Sequence, residues 1–353
     1  MKFNPIHSIL KFSMLFALAA MPSMSFANGQ KDISSLNNEQ RKKVVVVYTY
    51  DSFAGEWGPG PELTKRFEKA TGYKLELVDC GDAIQAINKA ILEKDNVQAD
   101  VLLGIDNNTS SNVKISGILE KYIPKNSQSI VSTELRKEFG SDGIITPYDY
   151  GHFAIIYDTK SSVPEPKSLQ DLTKSVYAKK IILMNPRTST PGLGFLAWTV
   201  SVLGDSYKDY WKSLKPNVLT MTSGWSEGWG MFLKGEAPLV ISYTTSPAYC
   251  VEYESNDRYK ALVFNHGHVE QVEGYALLKN APNPDGGKAF MDFMLTKEAQ
   301  ECLPLTQWMY PVNKDVTLPE SYKKAAPVPA KTLITNSART KQAIEPVMQI
   351  LGK

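Results

Sequence analysis

Hydrophobic positions in the first part of the chain alternate between strand-like and helix-like spacing. Segment 44–50 is a continuous β-branched and aromatic run, which is typical of a strand buried on both faces of a parallel sheet. Segment 73–78 alternates between apolar and polar residues as a strand does, and 99–103 is another predicted strand. Segments 61–72 and 82–94 separate them and carry apolar residues at helical spacing. A strand–helix–strand–helix–strand order places helices on both faces of a parallel sheet. The pattern therefore predicts an α/β fold.

A second group of elements begins where the pattern changes, near residue 147. Four further strands are predicted at 153–157, 181–184, 239–243 and 261–264. Helices are predicted at 168–172, 194–203, 224–234, 286–296, 297–303 and 336–351, the last with a kink at Pro346.

Two such groups predict two α/β lobes joined by a hinge. We expect residues 44–147 and 275–353 to form lobe 1 and residues 148–270 to form lobe 2. The chain would cross between the lobes near 147–151 and 267–275. Because ligands of open α/β sheets bind beyond the carboxyl ends of the strands, the site is expected in the cleft between the lobes.

The N-terminus has the features of a secretory signal peptide. Lys2 and Lys11 precede or flank an apolar run at 12–21, and small residues lead to a cleavage point after Ala27. The run of about ten residues is too short to span a bilayer. A polar leader, residues 28–43, would follow. We therefore expect an exported, periplasmic protein.

Charge and cysteine content narrow the class of partner. The chain has 39 basic and 37 acidic residues, and removal of residues 1–27 takes away two lysines, leaving 37 of each. A neutral protein lacks the basic field that holds nucleic acid. Cys80, Cys250 and Cys302 have no metal-binding spacing, so no metal is expected. Two possibilities stay open for the cysteines. Either two of them form one disulfide, or all three are buried thiols.

Residues 185–194, Asn-Pro-Arg-Thr-Ser-Thr-Pro-Gly-Leu-Gly, lie between a predicted strand and a predicted helix. Thr188, Ser189 and Thr190 stand where a helix N-cap belongs, and Pro191 suits the first turn. Main-chain N–H groups and the positive end of the helix dipole converge there, which favours an anion. An ordinary capped helix is the alternative interpretation.

Aromatic residues cluster at predicted strand ends and loops, together with the carboxylate of Asp82. Aromatic faces attract organic cations by about 0.5–2 kcal/mol each. With the helix start, these groups favour a flat, partly cationic ligand that carries phosphate or hydroxyl, although packing is the alternative for each one alone. The aromatic candidates are Tyr50, Trp57, Trp225, Tyr243, Tyr249 and Trp308.

Nothing in the sequence predicts catalysis. Beyond residue 27 the histidines are His152, His266 and His268, and their spacing matches no familiar metal motif. No Walker-type phosphate loop and no Gly-x-Gly-x-x-Gly dinucleotide fingerprint is present. We expect a binding protein without a cofactor, not an enzyme.

Seven sequence segments together resemble the thiamine-binding periplasmic proteins of bacterial ABC importers, within the type II periplasmic binding protein class. The segments are YTYDSFAGEWGPGP (48–61), ADVLLGIDNN (99–108), PYDYGHFA (147–154), PRTSTPGLG (186–194), GWSEGWGMFLKGE (224–236), SYTTSPAY (242–249) and WMYPV (308–312).

The resemblance implies a ligand site and a transport role. The phosphate or hydroxyethyl end of thiamine, thiamine monophosphate or thiamine diphosphate would meet Ser189 and Thr190, and Asp82 matches a family carboxylate. This chain has Ala83 where the family often has glycine. Further contacts would come from Tyr243, Thr244, Thr245 and Ser246, and the rings would meet Tyr50, Trp57, Trp225, Tyr249 and Trp308.

The implied partner is a membrane permease driven by a cytoplasmic ATPase, with a monomeric binding protein that closes around its ligand. Two alternatives remain. One is a binding protein for ferric ion or a polyamine, and the other is an exported phosphate-ester hydrolase that uses Ser189.

Overall fold

The computed structural model describes residues 36–352 of the chain. The predicted signal peptide, 1–27, and residues 28–35 of the predicted leader lie outside this range. A short helix, α1 (Asn38–Arg41), begins the described part, and Arg41 forms an ion pair with buried Asp100 at 3.0 Å. This pair fixes the start of the described chain beside the sheet that follows.

Three parallel strands form the sheet of the first lobe, as the hydrophobic pattern predicts. The central strand β1 (Val44–Thr49) pairs on one side with β2 (Lys74–Asp79) and on the other with β3 (Val101–Asp106). The predicted strand–helix alternation is confirmed. The helices and the short strand of this part are α2 (Asp51–Ala54), α3 (Gly60–Thr71), α4 (Ala83–Leu92), α5 (Ser110–Ser116), β4 (Leu119–Glu120), α6 (Ser127–Ile130) and α7 (Thr133–Lys137).

Two long antiparallel strands connect this sheet to the second one. β5 (Thr146–Asp158) and β10 (His268–Leu278) pair with each other, β10 also pairs with β3, and the second half of β5 pairs with the second sheet. The sequence predicted only 153–157 as a strand here and treated 267–275 as a crossing. That prediction was too short because polar and glycine residues interrupt the apolar pattern in segments that are nevertheless paired and buried.

The second lobe continues the sheet in the order β5–β8–β6–β7, with β9 also pairing β5. The predicted strand at 261–264 lies two residues earlier, and the predicted helix at 168–172 is a short 3₁₀ turn, Gln170–Thr173. Strand β7 and helices α9 and α11 were not predicted. The elements are β6 (Ile181–Met184), α8 (Thr190–Leu203), α9 (Tyr207–Leu214), β7 (Val218–Thr222), α10 (Trp225–Leu233), β8 (Leu239–Tyr243), α11 (Ser246–Glu254) and β9 (Tyr259–Leu262).

The C-terminal part returns to both lobes. Its last helix, α16, was assigned from the sequence to lobe 1, but its buried residues Ala343 and Val347 join the core of lobe 2 beside α8 and α9. Pro346 lies inside that helix, as predicted. The elements are α12 (Pro284–Phe293), α13 (Lys297–Gln300), α14 (Leu303–Thr306), β11 (Tyr310–Pro311), α15 (Glu320–Ala325), β12 (Thr332–Leu333) and α16 (Ser337–Leu351).

Each lobe has its own hydrophobic core. Phe53, Phe67 and Phe290 are fully buried in the first, and Trp198 and Trp211 are almost fully buried in the second. Separate cores allow each lobe to keep its shape while the polar surface between them stays available for a ligand.

The three cysteines do not pair in the structure. Cys250 and Cys302 are buried and Cys80 is half-buried, so the interpretation as unpaired thiols applies. Within residues 36–352, no helix combines the length and apolar character that crossing a membrane would need.

Candidate functional site

A narrow cavity lies where elements of both lobes meet. It receives side chains that follow β1, the starts of helices α4, α8 and α10, the end of β8, the crossing strand β10, and the segment between α14 and β11. We call it the inner cavity. Its lining residues are Tyr50, Asp51, Ser52, Asp82, Ala83, Thr190, Pro191, Trp225, Tyr243, Ser246, Glu273, Thr306, Gln307, Trp308 and Met309.

Asp82 links the two lobes at one end of this cavity. It is the N-cap residue of α4 in lobe 1. Its carboxylate accepts the main-chain N–H of Thr190 at 3.2 Å and that of Trp225 at 3.1 Å, which are the first residues of α8 and α10 in lobe 2. The starts of three helices therefore converge on one carboxylate, where their dipoles favour negative charge.

The protonation of Asp82 reflects two opposing effects. Burial raises the pKa of its carboxyl to about 6, while the Ser189 side chain and the two main-chain N–H groups act in the opposite direction. The helix start that the sequence identified as an anion site thus already faces a carboxylate of the protein itself.

A second carboxylate, Glu273, lies in the same cavity and is held by neutral donors. The Tyr50 hydroxyl donates to its Oε2 at 2.6 Å, and the Tyr148 hydroxyl and the Gln271 amide also donate to it. Gln307 in turn donates to the Tyr50 hydroxyl. Burial raises the pKa of Glu273 to about 7, and the acids Asp106 and Asp82 act in the same direction.

Hydroxyl groups at the end of β8 and at the start of α11 fix the aromatic wall of the cavity. The Trp225 indole N–H donates to Ser242 Oγ at 2.8 Å, and Ser242 and Ser246 share a hydrogen bond of 2.7 Å. Tyr243 donates through its hydroxyl to Gln271 at 3.2 Å. A continuous hydrogen-bond chain therefore holds the indole of Trp225 against the strand end.

Outside the inner cavity lies a wider groove, which we call the outer groove. Its lining is mainly aromatic and small residues, with the two acids Asp51 and Glu56. The large apolar and aromatic residues are Trp57, Trp225, Trp229, Leu233, Tyr249 and Trp308. Trp57 is 83% exposed, so its ring stands at the mouth rather than inside. Trp225 and Trp308 line both spaces and mark the boundary between them.

Trp308 is held in an unusual backbone conformation. Its φ of 59° lies in the left-handed region, which non-glycine residues seldom adopt. Its ring contacts those of Tyr249 and Tyr253 edge-on, at 5.4 and 5.7 Å, and stacks on Tyr322 at 6.2 Å. The surrounding rings thus fix the orientation of this indole.

The predicted site residues fall into three groups. The largest lines the inner cavity, and it contains Tyr50, Asp82, Ala83, Thr190, Trp225, Tyr243, Ser246 and Trp308. Trp57 and Tyr249 line only the outer groove. Ser189, Thr244 and Thr245 are buried and line neither space, although Ser189 lies close enough to Asp82 to influence its pKa.

Sequence reasoning missed several polar residues of the inner cavity, above all Glu273 and Gln307. Glu273 lies in the segment VEQVEGYALL, where two acids interrupt an otherwise apolar run. A charged side chain is seldom buried in a strand unless it is paired or hydrogen-bonded. The acid in this strand could therefore have been recognised as a candidate site residue. Within the described residues, no group of three or more His, Cys, Asp or Glu side chains could hold a metal ion.

Comparison with known proteins first gives the class. A family model described as bacterial extracellular solute-binding protein matches residues 62–330. The chain belongs to this family. Two lobes that enclose a cleft, as seen here, agree with such a protein.

More specific relatives follow from the same comparisons. The thiamine-binding periplasmic protein of Brucella abortus is 41% identical over 296 residues, which cover 84% of this chain and 87% of the relative. The protein of the same name from Escherichia coli K12 is 41% identical over 293 residues, covering 83% and 87%. The resemblance inferred from the sequence segments is confirmed.

A solved structure described as a periplasmic thiamin binding protein is 39% identical to this chain. It superimposes with a TM-score of 0.81 and covers 88% of this chain and 96% of its own. The predicted fold, two α/β lobes with a cleft between them, is thereby confirmed. These relatives are named as binding proteins, in agreement with the prediction that the chain is not an enzyme.

Proposed function

We propose that this protein is the periplasmic substrate-binding subunit of a thiamine ABC importer. The observation that carries the proposal is the identity of 41% with named thiamine-binding proteins over 84% of the chain. The convergence of aromatic, hydroxyl and carboxylate groups in the inner cavity supports it. The ligands would be thiamine, thiamine monophosphate and thiamine diphosphate.

The chemistry of the cavity suits the cationic part of thiamine. Thiamine combines two flat rings with a fixed positive charge on its thiazolium ring. Trp225, Tyr243 and Trp308 offer aromatic faces for the rings, and Asp82 and Glu273 offer negative charge. The hydroxyethyl tail, or a phosphate on it, would lie at the starts of α8 and α10, near Thr190.

The phosphorylated ligands would use the same helix starts as Asp82 does. A phosphate that accepts N–H groups from Thr190 and Trp225 must share or replace the contacts of the Asp82 carboxylate. Phosphate binding is therefore coupled to the charge of Asp82, since two adjacent anions repel unless one of them is protonated.

Ligand capture would proceed by closure of the lobes. A ligand that contacts both lobes stabilises the closed form through its higher affinity for that form. The crossing strands β5 and β10 are the elements that would bend. The closed, loaded protein would then dock on an inner-membrane permease, and a cytoplasmic ATPase would drive transport. Export would depend on a signal peptide cleaved after Ala27, and the mature protein would act as a monomer.

Titration calorimetry tests the ligand assignment. Protein stripped of carried-over ligand is titrated with each of the three forms of thiamine, and tryptophan fluorescence is followed in parallel. We expect binding heat and quenching, since Trp225 and Trp308 line the cavity. No heat and no quenching with any of the three would overturn the proposal.

The alternatives have tests of their own. A ferric-ion protein would develop colour and visible absorbance with iron, and a polyamine protein would give binding heat with spermidine. Tyr243 and Tyr249, which could suggest iron, line different spaces in the structure. A hydrolase would release inorganic phosphate from thiamine phosphates, whereas a binding protein returns them intact. Mass spectrometry of the exported protein checks cleavage after Ala27, and light scattering checks the monomer.

A further inference from the structure

We propose that Glu273, with Asp149 behind it, is the counter-ion of the ligand's fixed positive charge and the residue that selects a cationic ligand over a neutral one of the same shape. The inference rests on the proposed function and deepens it. It assigns a role to a carboxyl pair on the two strands that cross between the lobes.

The charge balance of the inner cavity is the first argument. Three of its lining residues are acidic, Asp51, Asp82 and Glu273, and none of the described residues that line it is Lys, Arg or His. A cavity with this lining carries negative potential into a region of low dielectric, where charge interactions are strong. It therefore discriminates in favour of a cation.

Glu273 differs from Asp82 in how its charge is compensated. Asp82 accepts two main-chain N–H groups at helix starts, whose dipoles already stabilise an anion. Glu273 accepts only from hydroxyl and amide side chains and sits on a strand. Of the two buried acids, Glu273 therefore has more to gain from a positive ligand.

Asp149 increases this effect from the neighbouring strand. It is the register partner of Glu273 in the pairing of β5 with β10. It is fully buried, and neither of its carboxylate oxygens has a hydrogen-bond partner. The charge of Glu273 adds to burial in raising the pKa of the Asp149 carboxyl, so the uncharged form of Asp149 is favoured while the cavity holds no cation.

A cation in the cavity changes the protonation of this pair. The titratable groups that face Glu273 are three acids and three tyrosines, and none of them is basic, so nothing else in these contacts supplies positive charge. A cation that enters favours the charged form of Glu273, so that a proton bound to these carboxyls is released to the solvent. The groups are Asp82, Asp106, Asp149, Tyr50, Tyr148 and Tyr243.

The first experiment compares thiamine with its neutral isostere, in which the thiazolium nitrogen is replaced by carbon. Wild-type protein, Glu273→Gln and Glu270→Gln are titrated with both compounds. Glu270 is a matched control because it lies on the same strand, is half-buried and also has a pKa raised to about 7, but does not line the cavity.

We expect Glu273→Gln to lose at least about tenfold in affinity for thiamine and less than about twofold for the neutral isostere. Glu270→Gln should match the wild type with both compounds. Equal losses for the two compounds in Glu273→Gln would overturn the inference while leaving thiamine binding in place. Binding of neither compound by the wild type would instead overturn the proposed function. Circular dichroism and a thermal melt confirm that each variant is folded.

The second experiment measures proton release. Calorimetry at pH 7 in two buffers with different heats of ionisation gives the number of protons released per ligand bound. We expect release on thiamine binding by the wild type and by Glu270→Gln, little release with the neutral isostere, and reduced release in Glu273→Gln. Equal release in all three proteins would contradict the assignment to this pair.

Discussion

The inner cavity and the outer groove of this protein share six lining residues, among them Trp225 and Trp308, but differ in the rest of their lining. The cavity has three acidic residues, and its glutamate is held in a network of tyrosines and amides. The groove is lined by five aromatic residues, one of them 83% exposed. The buried carboxyls of the cavity lie where charge interactions are strong, and the aromatic faces that line only the groove lie nearer to solvent.

The two regions also differ in how firmly their side chains are fixed. Tyr50 and Glu273 form several side-chain hydrogen bonds in the cavity, while Trp57 at the mouth has almost all of its surface free. Trp308 stands between them, since it belongs to both regions and is packed by three other rings. The comparison predicts that affinity depends more on the fixed boundary tryptophan than on the exposed one.

The largest effect should come from removal of Trp308. We expect Trp308→Ala to weaken binding of all three forms of thiamine by about 30-fold, or about 2 kcal/mol, because stacking and cation–π contact are both lost. Isothermal titration of the folded variant with each ligand checks this.

Trp57→Ala is the matched control for this prediction. Its ring lies only in the outer groove, so we expect a loss of no more than about threefold, as for a rim residue. A loss with Trp57→Ala as large as that with Trp308→Ala would show that the outer groove, not the boundary, carries the ring contacts.

Much of this architecture could be predicted from the sequence, for identifiable reasons. Strand β1 was predictable from a continuous apolar run, because a strand buried on both faces seldom contains polar residues. Strand β2 was predictable from its alternation of apolar and polar residues. The start of α8 at Thr190 followed from the hydroxyl residues and Pro191. These features depend on neighbours in sequence, which a pattern can represent.

The parts that escaped prediction depend on neighbours in space. Glu273 is tolerated in a buried strand only because Tyr50 and Tyr148, from distant segments, donate to it. The contacts of Asp82 with Thr190 and Trp225 join residues 108 and 143 positions apart. Local spacing does not record such contacts, and so the predicted anion site could not be recognised from the sequence as a site that faces a carboxylate.

The pH dependence of stability tests the buried carboxyl of Asp149, which is the register partner of Glu273. Burial, followed by the charge of Glu273, raises the pKa of Asp149 well above its ordinary value. The folded protein therefore binds a proton here more tightly than the unfolded chain, and the free energy of unfolding falls as the pH rises above about 4. Asp149→Asn removes this penalty.

We expect Asp149→Asn to be more stable than the wild type at pH 8, by about 1 kcal/mol, and to show a smaller decrease in melting temperature between pH 5 and pH 8. Thermal unfolding of ligand-free protein at several pH values measures both. The Asp285→Asn variant, altered at an exposed acid in the first turn of α12, is the comparison. A less stable Asp149→Asn at pH 8 would mean that the buried carboxylate is stabilised by contacts that outweigh its burial.

The smallest expected effect concerns the helix-start end of the cavity, where the Asp82 carboxylate and a ligand phosphate would use the same N–H groups. Asp82→Asn removes the negative charge and keeps a side chain suited to an N-cap. We expect the ratio of affinities, thiamine monophosphate over thiamine, to rise by about threefold, because the repulsion between the Asp82 carboxylate and the ligand phosphate is removed. In the wild type the same ratio should fall as the pH rises through about 6, because the Asp82 carboxyl, whose pKa is raised to about 6, then becomes charged.

The double variant Ser189→Ala with Thr190→Ala tests the same end of the cavity and should lower the ratio of affinities, thiamine monophosphate over thiamine. These changes leave Asp82 charged but remove hydroxyl groups near the helix start, so they should weaken the phosphorylated forms more than thiamine. Calorimetry of both variants with thiamine and its monophosphate, at pH 5 and pH 8, measures the ratios. If Asp82→Asn left the ratio unchanged at both pH values, the phosphate would have to bind away from the starts of α8 and α10, and only the carboxylate would use these N–H groups.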